Sequence, residues 1–308
     1  MPGANPLMRA LAAVPRVLTP VALLAAALAL VVPSSALAAR SDLLLALLVL
    51  ATAFGISFAD LRRLRDHAAA VGVLSVAPLI VLGAAAWALG RPFAPPVRDG
   101  LLAVGLASSE VASVGLVALA RADATIALGA VSGSLVASAL IGPLAIGALA
   151  GTSTHANPGP LLGRFALVVI VPLVVGVAAR SHWPRSAAAD PEREGVAALT
   201  VAVLIYAALS GTKGAHHLAS ALLASVAFLA VSAALAELWR RRAAASATAI
   251  PGALAIAMRD FAVAAALATQ AFGTGAGAVP GVYGVVMLVG GTVAAGRLAR
   301  RGGAERAG

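Results

Sequence analysis

Apolar residues run in long blocks along the whole chain, and the polar and charged residues collect in short breaks between them. A membrane helix needs about 20 mostly apolar residues. On that rule the pattern predicts ten spans, at 17–38, 43–59, 71–89, 99–120, 123–150, 160–179, 196–211, 215–239, 249–272 and 279–298. Two spans are interrupted by charge near their middles. The stretch I-P-G-A-L-A-I-A-M-R-D-F-A-V-A-A-A-L-A-T-Q-A-F places Arg259 beside Asp260, and G-L-A-S-S-E-V-A-S-V-G-L holds Glu110 among small residues. A charge at the centre of a membrane helix costs roughly 2.5 to 3.5 kcal/mol on insertion scales, so it needs a partner or a wet cavity. Divided into halves of five, the chain has its interrupted span fourth in each half. An odd number of spans per half means that the second half is inserted upside down. Matched interruptions in two inverted halves point to the substrate site of a secondary transporter. The expected fold is therefore an all-α, polytopic membrane protein of ten helices in two inverted repeats, with broken helices 4 and 9 crossing at mid-membrane. Ser109, Glu110, Ser113, Arg259 and Asp260 are the candidate site. Gly105, Gly115, Pro251 and Gly252 would ease the breaks, the rival reading being that the glycines are ordinary ones at helix contacts.

The basic residues agree with this topology. With both termini cytoplasmic, the inner side collects Arg9, Arg16, Arg62, Arg63, Arg65, Arg121, Arg180, Arg185, Arg193, Arg240, Arg241, Arg242, Arg297, Arg300, Arg301 and Arg306. The outer side receives Arg40, Arg91, Arg98 and Lys213, the bias expected of a plasma-membrane (inner-membrane) protein. The net charge of +10 thus reflects topology and not nucleic-acid binding. Residues 1–38 have a rival reading as a cleavable signal peptide, from Arg9, Arg16 and the A-L-A at 36–38. The even division into five and five favours retention. At 61% hydrophobic and 11% charged, the chain has no room for a separate soluble domain, and residues 1–308 read as one transporter domain. There is no cysteine, which excludes disulfides, thiolate metal sites and cysteine nucleophiles. No phosphate-binding G-x-x-x-x-G-K-S/T loop is present, so an ion gradient or exchange must drive any transport. No cofactor or metal site is expected.

The segment A-I-A-M-R-D-F-A-V-A-A-A-L-A followed by A-V-P-G-V-Y-G-V-V resembles helices nine and ten of the bile acid:sodium symporter family. A-L-A-R-A-D-A-T-I-A-L-G-A-V-S-G-S-L resembles that family's fourth-to-fifth helix junction. The resemblance implies a core of spans 3 to 5 and 8 to 10, about 71–150 and 215–298. A panel of spans 1, 2, 6 and 7, about 17–59 and 160–211, would rock against it. It also brings out departures. The family's sodium-binding glutamate falls on Ala255, its glutamine on Arg259 and its asparagine on Asp260. Its fourth-helix serine and asparagine fall on Ser113 and Val114, and two fifth-helix hydroxyl ligands fall on Ala127 and Val131. Most sodium-ligating side chains are missing, so transport is expected not to depend on sodium. The arsenite-exporting relatives use a fourth-helix cysteine that this chain lacks.

A guanidinium where the family holds sodium could replace the cation permanently, with Glu110 from the other half as its contacting partner. The rival reading is a purely structural ion pair. Half-helix N-termini pointing at the same place favour an anionic group. One carboxylate is then in surplus. It suits proton coupling, unless Asp260 faces a wet cavity or caps the second half-helix. His216 and His217 read as interfacial residues, and Arg164 as a residue that snorkels outward. Glu237 is placed to pair with Arg241, and Ser132, Ser134 and Ser138 to bond back to their own helical turn.

The function expected is secondary active transport of a small organic, anionic solute, with a proton as the candidate co-transported ion and the lipid bilayer as surroundings. The alternatives are a proton or cation antiporter and a non-transporting receptor or sensor of the same fold. An intramembrane enzyme would need a serine and a histidine at matched depth, and the histidines lie at span ends or in loops.

Overall fold

The computed structural model describes residues 14–149, 158–183, 190–210 and 215–304, and these residues form helices with no strand among them. Six helices are long and apolar enough to cross a membrane: Phe58–Gly90, Ala124–Leu149, Pro158–His182, Asp190–Ser210, Leu218–Arg242 and Thr274–Gly291. Leu18–Val31, Ser41–Ala53 and Phe261–Phe272 are shorter apolar helices. The chain is a multi-pass membrane protein.

In chain order the helices are α1 (Leu18–Val31), α2 (Ser35–Ala38), α3 (Ser41–Ala53), α4 (Phe58–Arg63), α5 (Ala68–Gly90), α6 (Pro95–Leu106) and α7 (Ala112–Leu119). They continue as α8 (Ala124–Leu149), α9 (Pro158–His182), α10 (Asp190–Ser210), α11 (Ala215–Arg242), α12 (Ala249–Ala257), α13 (Phe261–Phe272) and α14 (Ala278–Ala304).

Two sequence boundaries are corrected. The first expected span does not run to 38, because α1 stops at Val31 and Val32 leaves helical geometry (φ −131°, ψ 74°). Pro33 follows, and a proline disfavours helix in the residue before it. The second expected span ends early as well. Its helix α3 stops at Ala53, and α4 starts afresh from a capping box in which Ser57 and Asp60 satisfy each other's backbone N–H groups.

Two sets of helix contacts can be followed, and they are joined through α8 on α9 and α10 on α14. In one, α3 lies along α9 and α10, and α10 along α1. Asp190 holds this group at one end, bound to Arg180 at 3.1 Å and to Arg193 at 3.2 Å. Arg193 also donates to the Ala51 carbonyl at 2.9 Å. That reach is possible because residue 55 is glycine: a Cβ there would lie 2.9 Å from the Arg193 guanidinium. In the other group α5 lies along α6 and α8, α11 along α12 and α14, and α13 along α6. Within it, α5 crosses α6 at close range. A Cβ on Gly105 would lie 2.6 Å from both the Ala86 methyl and the Leu82 carbonyl. Gly105 is therefore a helix-contact glycine and not the point at which the chain breaks.

Candidate functional site

Between α6 and α7, and between α12 and α13, the chain leaves the helix for a few residues. The backbone there is extended, as at Ala107 (φ −71°, ψ 162°), Met258 (φ −113°, ψ 116°) and Asp260 (φ −71°, ψ 103°). Any residue adopts such angles, which corrects the expectation that Gly115, Pro251 and Gly252 would make the breaks. Gly115 has open space beside it, and Pro251 and Gly252 lie inside α12.

The two extended segments pair with each other. Ser109 and Arg259 form an isolated antiparallel bridge, flanked by Glu110 N–H donating to the Met258 carbonyl at 3.0 Å and Asp260 N–H to the Ser108 carbonyl at 2.8 Å. An unpaired backbone group in hydrocarbon costs several kcal/mol, so irregular backbone survives there only when protein satisfies it. Side chains supply what the bridge leaves open. Ser138 Oγ donates to the Leu106 carbonyl at 2.7 Å, Ser109 Oγ to Ala255 at 2.9 Å and Ser232 Oγ to Ala257 at 3.2 Å. Ser109 N–H donates to Ser134 Oγ at 2.9 Å, and Arg259 N–H to Tyr283 Oη at 3.1 Å. The Ala107 carbonyl accepts from Arg259 Nη2.

Each second half-helix starts behind a carboxylate. Asp260 caps α13, its Oδ1 accepting from Ala262 N–H at 2.9 Å and Val263 N–H at 3.0 Å. Glu110 stands at the equivalent place before α7, with Oε1 at 3.5 Å from Ala112 N–H. Asp260 thus takes the capping role that the sequence left open. Glu110 Oε2 is buried without a hydrogen-bond partner, as are Ser108 Oγ, Ser113 Oγ and the Nε and Nη1 of Arg259.

Of the five candidate residues, Ser109, Glu110, Arg259 and Asp260 lie in these interruptions and Ser113 in the first turn of α7, and all five are buried. The expected Glu110–Arg259 contact is not there. Arg259 is fully buried and, among the described residues, has no ion pair with Glu110; its guanidinium reaches a backbone carbonyl instead. The reason is the strand-like period of the crossing. Residues opposite each other across an antiparallel bridge share a face, and neighbours alternate. Ser109 and Arg259 therefore share one face, while Ser108, Glu110, Met258 and Asp260 take the other. The two carboxylates thus share a face.

A match over nearly the whole chain decides the family. The model of the SBF-like CPA transporter family matches residues 18–274. The chain belongs to this family. No curated protein matches it. The SBF-like CPA transporter match takes in both interruptions, and Tyr283 lies beyond its end.

Other expectations meet mixed outcomes. Ser132 does bond back, to Leu128 at 2.8 Å. Ser138 crosses to another helix, and Ser134 does both, donating to Val131 and accepting from Ser109. Arg164 points outward as expected but also pairs with Asp42 at 2.6 Å, and Asp42 accepts from Gln270 at 2.7 Å. The Glu237–Arg241 pair is present at 2.7 Å. The side chains of His216 and His217 fall outside the described residues. Among the described residues no three His, Cys, Asp or Glu side chains cluster as metal ligands. Tyr283 and the Asp42 contacts were missed by sequence reasoning. A lone tyrosine in an apolar span carries a weak signal, since its hydroxyl needs a partner when buried.

Proposed function

We propose that this chain is a secondary transporter working by alternating access, and that it exchanges a proton for a monovalent cation at Glu110. On this reading its ten expected spans form two inverted halves, with α6–α7 and α12–α13 as the broken spans that cross in mid-membrane. The observation that carries this reading is the unpartnered Glu110 carboxylate oxygen on the face it shares with Asp260, away from Arg259. Arg259 and Asp260 are fixed neighbours of opposite sign, and Asp260 is held as a cap. Glu110 is left as the charge that something must balance. A bare charge in a low-dielectric interior is expensive, so Glu110 crosses either protonated or cation-bound. Exchange of the two is then obligatory, because the unloaded carboxylate does not make the passage. The side-chain oxygens beside it are few, Ser108 and Ser113, which favours weak choice among monovalent cations.

A second reading rests on a different observation. Nε and Nη1 of buried Arg259 lack acceptors, and a small organic anion entering with a proton would supply one.

Proteoliposomes with a trapped pH-sensitive dye separate the readings. On imposing a pH gradient at clamped membrane potential, sodium or potassium added outside should dissipate it, and Glu110→Gln should abolish that response. Dissipation by organic anions alone would favour the second reading. Unchanged cation-driven flux in Glu110→Gln would overturn the first.

A further inference from the structure

A second feature, apart from the buried polar groups of the crossing, is a groove between α5 and α11. It has a volume of about 250 Å³, with walls of Ala77, Pro78, Leu82 and Leu238, Trp239 in its floor and Arg242 at its mouth. Neighbouring Val73 and Val81 are 50% and 49% exposed and Leu238 is 43% exposed, so the groove opens on an apolar surface that faces lipid. It is also preformed. Trp239 Nε1 donates to the Thr248 carbonyl at 3.1 Å, and its ring lies against Gly252, where a Cβ would come within 2.8 Å of Cε2.

We propose that this groove binds one acyl chain of an anionic phospholipid, with the lipid phosphate on Arg242. The charge pattern selects that occupant. In the run Arg240–Arg241–Arg242, the first two share Glu237 at 2.7 Å each, while Arg242 makes no ion pair among the described residues. The Trp239 indole is already engaged, which leaves the Arg242 guanidinium as the free donor among the groove's lining. Basic pockets between membrane helices, beside the headgroup layer, recognise anionic lipid headgroups. A helix from a second copy of this chain is about 10–12 Å wide with its side chains, too broad for a cleft of this size, whereas an acyl chain fits.

The test uses the full chain purified in detergent, titrated with phosphatidylglycerol or with phosphatidylcholine of the same acyl chains. Bound lipid is counted by native mass spectrometry, and thermal stability is followed in parallel. One neutralised arginine at a headgroup site corresponds to about a fivefold change in binding. Wild type should therefore prefer phosphatidylglycerol by about that factor. Arg242→Gln should remove the preference while phosphatidylcholine binding stays, and Arg241→Gln, whose guanidinium Glu237 already holds, should keep it. Ala77→Leu, which fills the groove, should weaken both lipids. Equal binding of the two lipids by wild type, a preference that survives Arg242→Gln, or full binding in Ala77→Leu would each overturn the proposal. So would cross-linking that shows a second copy seated in the groove.

Discussion

Ser132→Ala and Ser138→Ala remove the same hydroxyl from the same helix two turns apart, and the structure gives them different costs. Ser132 Oγ donates to the Leu128 carbonyl, which is four residues back and already serves the helix ladder. Its loss orphans nothing, and such changes stay within about 0.5 kcal/mol. Ser138 Oγ donates across to the carbonyl of Leu106, the last residue of α6, and Ser138 is fully buried. Leaving a buried acceptor unsatisfied costs about 1–3 kcal/mol. Hydrogen bonds between membrane helices measure about 0.6 kcal/mol on average and about 1.7 at most, which pulls the expected figure down to about 1. Each variant removes one oxygen, and because Ser138 is fully buried while Ser132 is only partly so, the difference between them reads the crossing hydrogen bond together with the loss of a buried contact. The assay is reversible unfolding in mixed micelles, with both variants compared to wild type. A loss of about 1 kcal/mol in Ser138→Ala against less than about 0.5 in Ser132→Ala is expected. Equal losses, or a larger one in Ser132→Ala, would show that the α6 terminus is not satisfied by α8 and would undo the description of the crossing.

Three further outcomes follow from the same geometry. In double-mutant cycles on stability, Arg259→Gln should couple to Asp260→Asn, its neighbour in the chain, and be additive with Glu110→Gln to within about 0.5 kcal/mol, because Glu110 stands on the other extended segment and turns away from the guanidinium. Coupling to Glu110 alone would refute the assignment of faces. Replacing sodium by potassium at fixed pH and potential should leave transport largely unchanged, since Ala255, Val114, Ala127 and Val131 offer no side-chain oxygens; collapse of transport would contradict it. Gln270→Ala cuts the Asp42–Gln270 link between α13 and α3, and should speed thiol labelling of Ser113→Cys in this cysteine-free chain. An unchanged labelling rate would mean that the link does not restrict access.

Much of the fold was legible because membrane insertion leaves a one-dimensional record. Helix positions followed from apolar run length, and the interruptions from charges that hydrocarbon does not tolerate. What happens inside an interruption was not legible. There the side-chain period changes from 3.6 to 2, so Glu110 and Arg259 turn to opposite faces although a helical reading brings them together. Glycine and proline were the wrong markers for the same reason, since extended backbone needs neither. The contacts of Asp42 with Arg164 and Gln270 span 122 and 228 residues, and no local pattern encodes them.

The bonding at the crossing also bears on how such a protein could move. Its two extended segments are joined by two backbone hydrogen bonds, and the neighbouring groups are tied by serines from α8 and α11 and by Tyr283 of α14. Opening the crossing would expose several of these groups to hydrocarbon at once, at several kcal/mol each. Glycine hinges are absent from both breaks. Under the alternating access proposed above, a motion that carries Glu110 from one side of the membrane to the other would therefore cost less as displacement of the whole unit, α5–α8 with α11–α14, against α1, α3, α9 and α10. Among the described residues no backbone bridge joins those groups as one joins the two interruptions. The Asp42–Gln270 bond is a polar link between them, made at helix ends where water can replace either partner. On that proposal, rigidity at the crossing and slippage between the groups would follow from the same rule. Backbone polar groups must stay paired wherever water is absent, so movement is confined to surfaces that have none to lose.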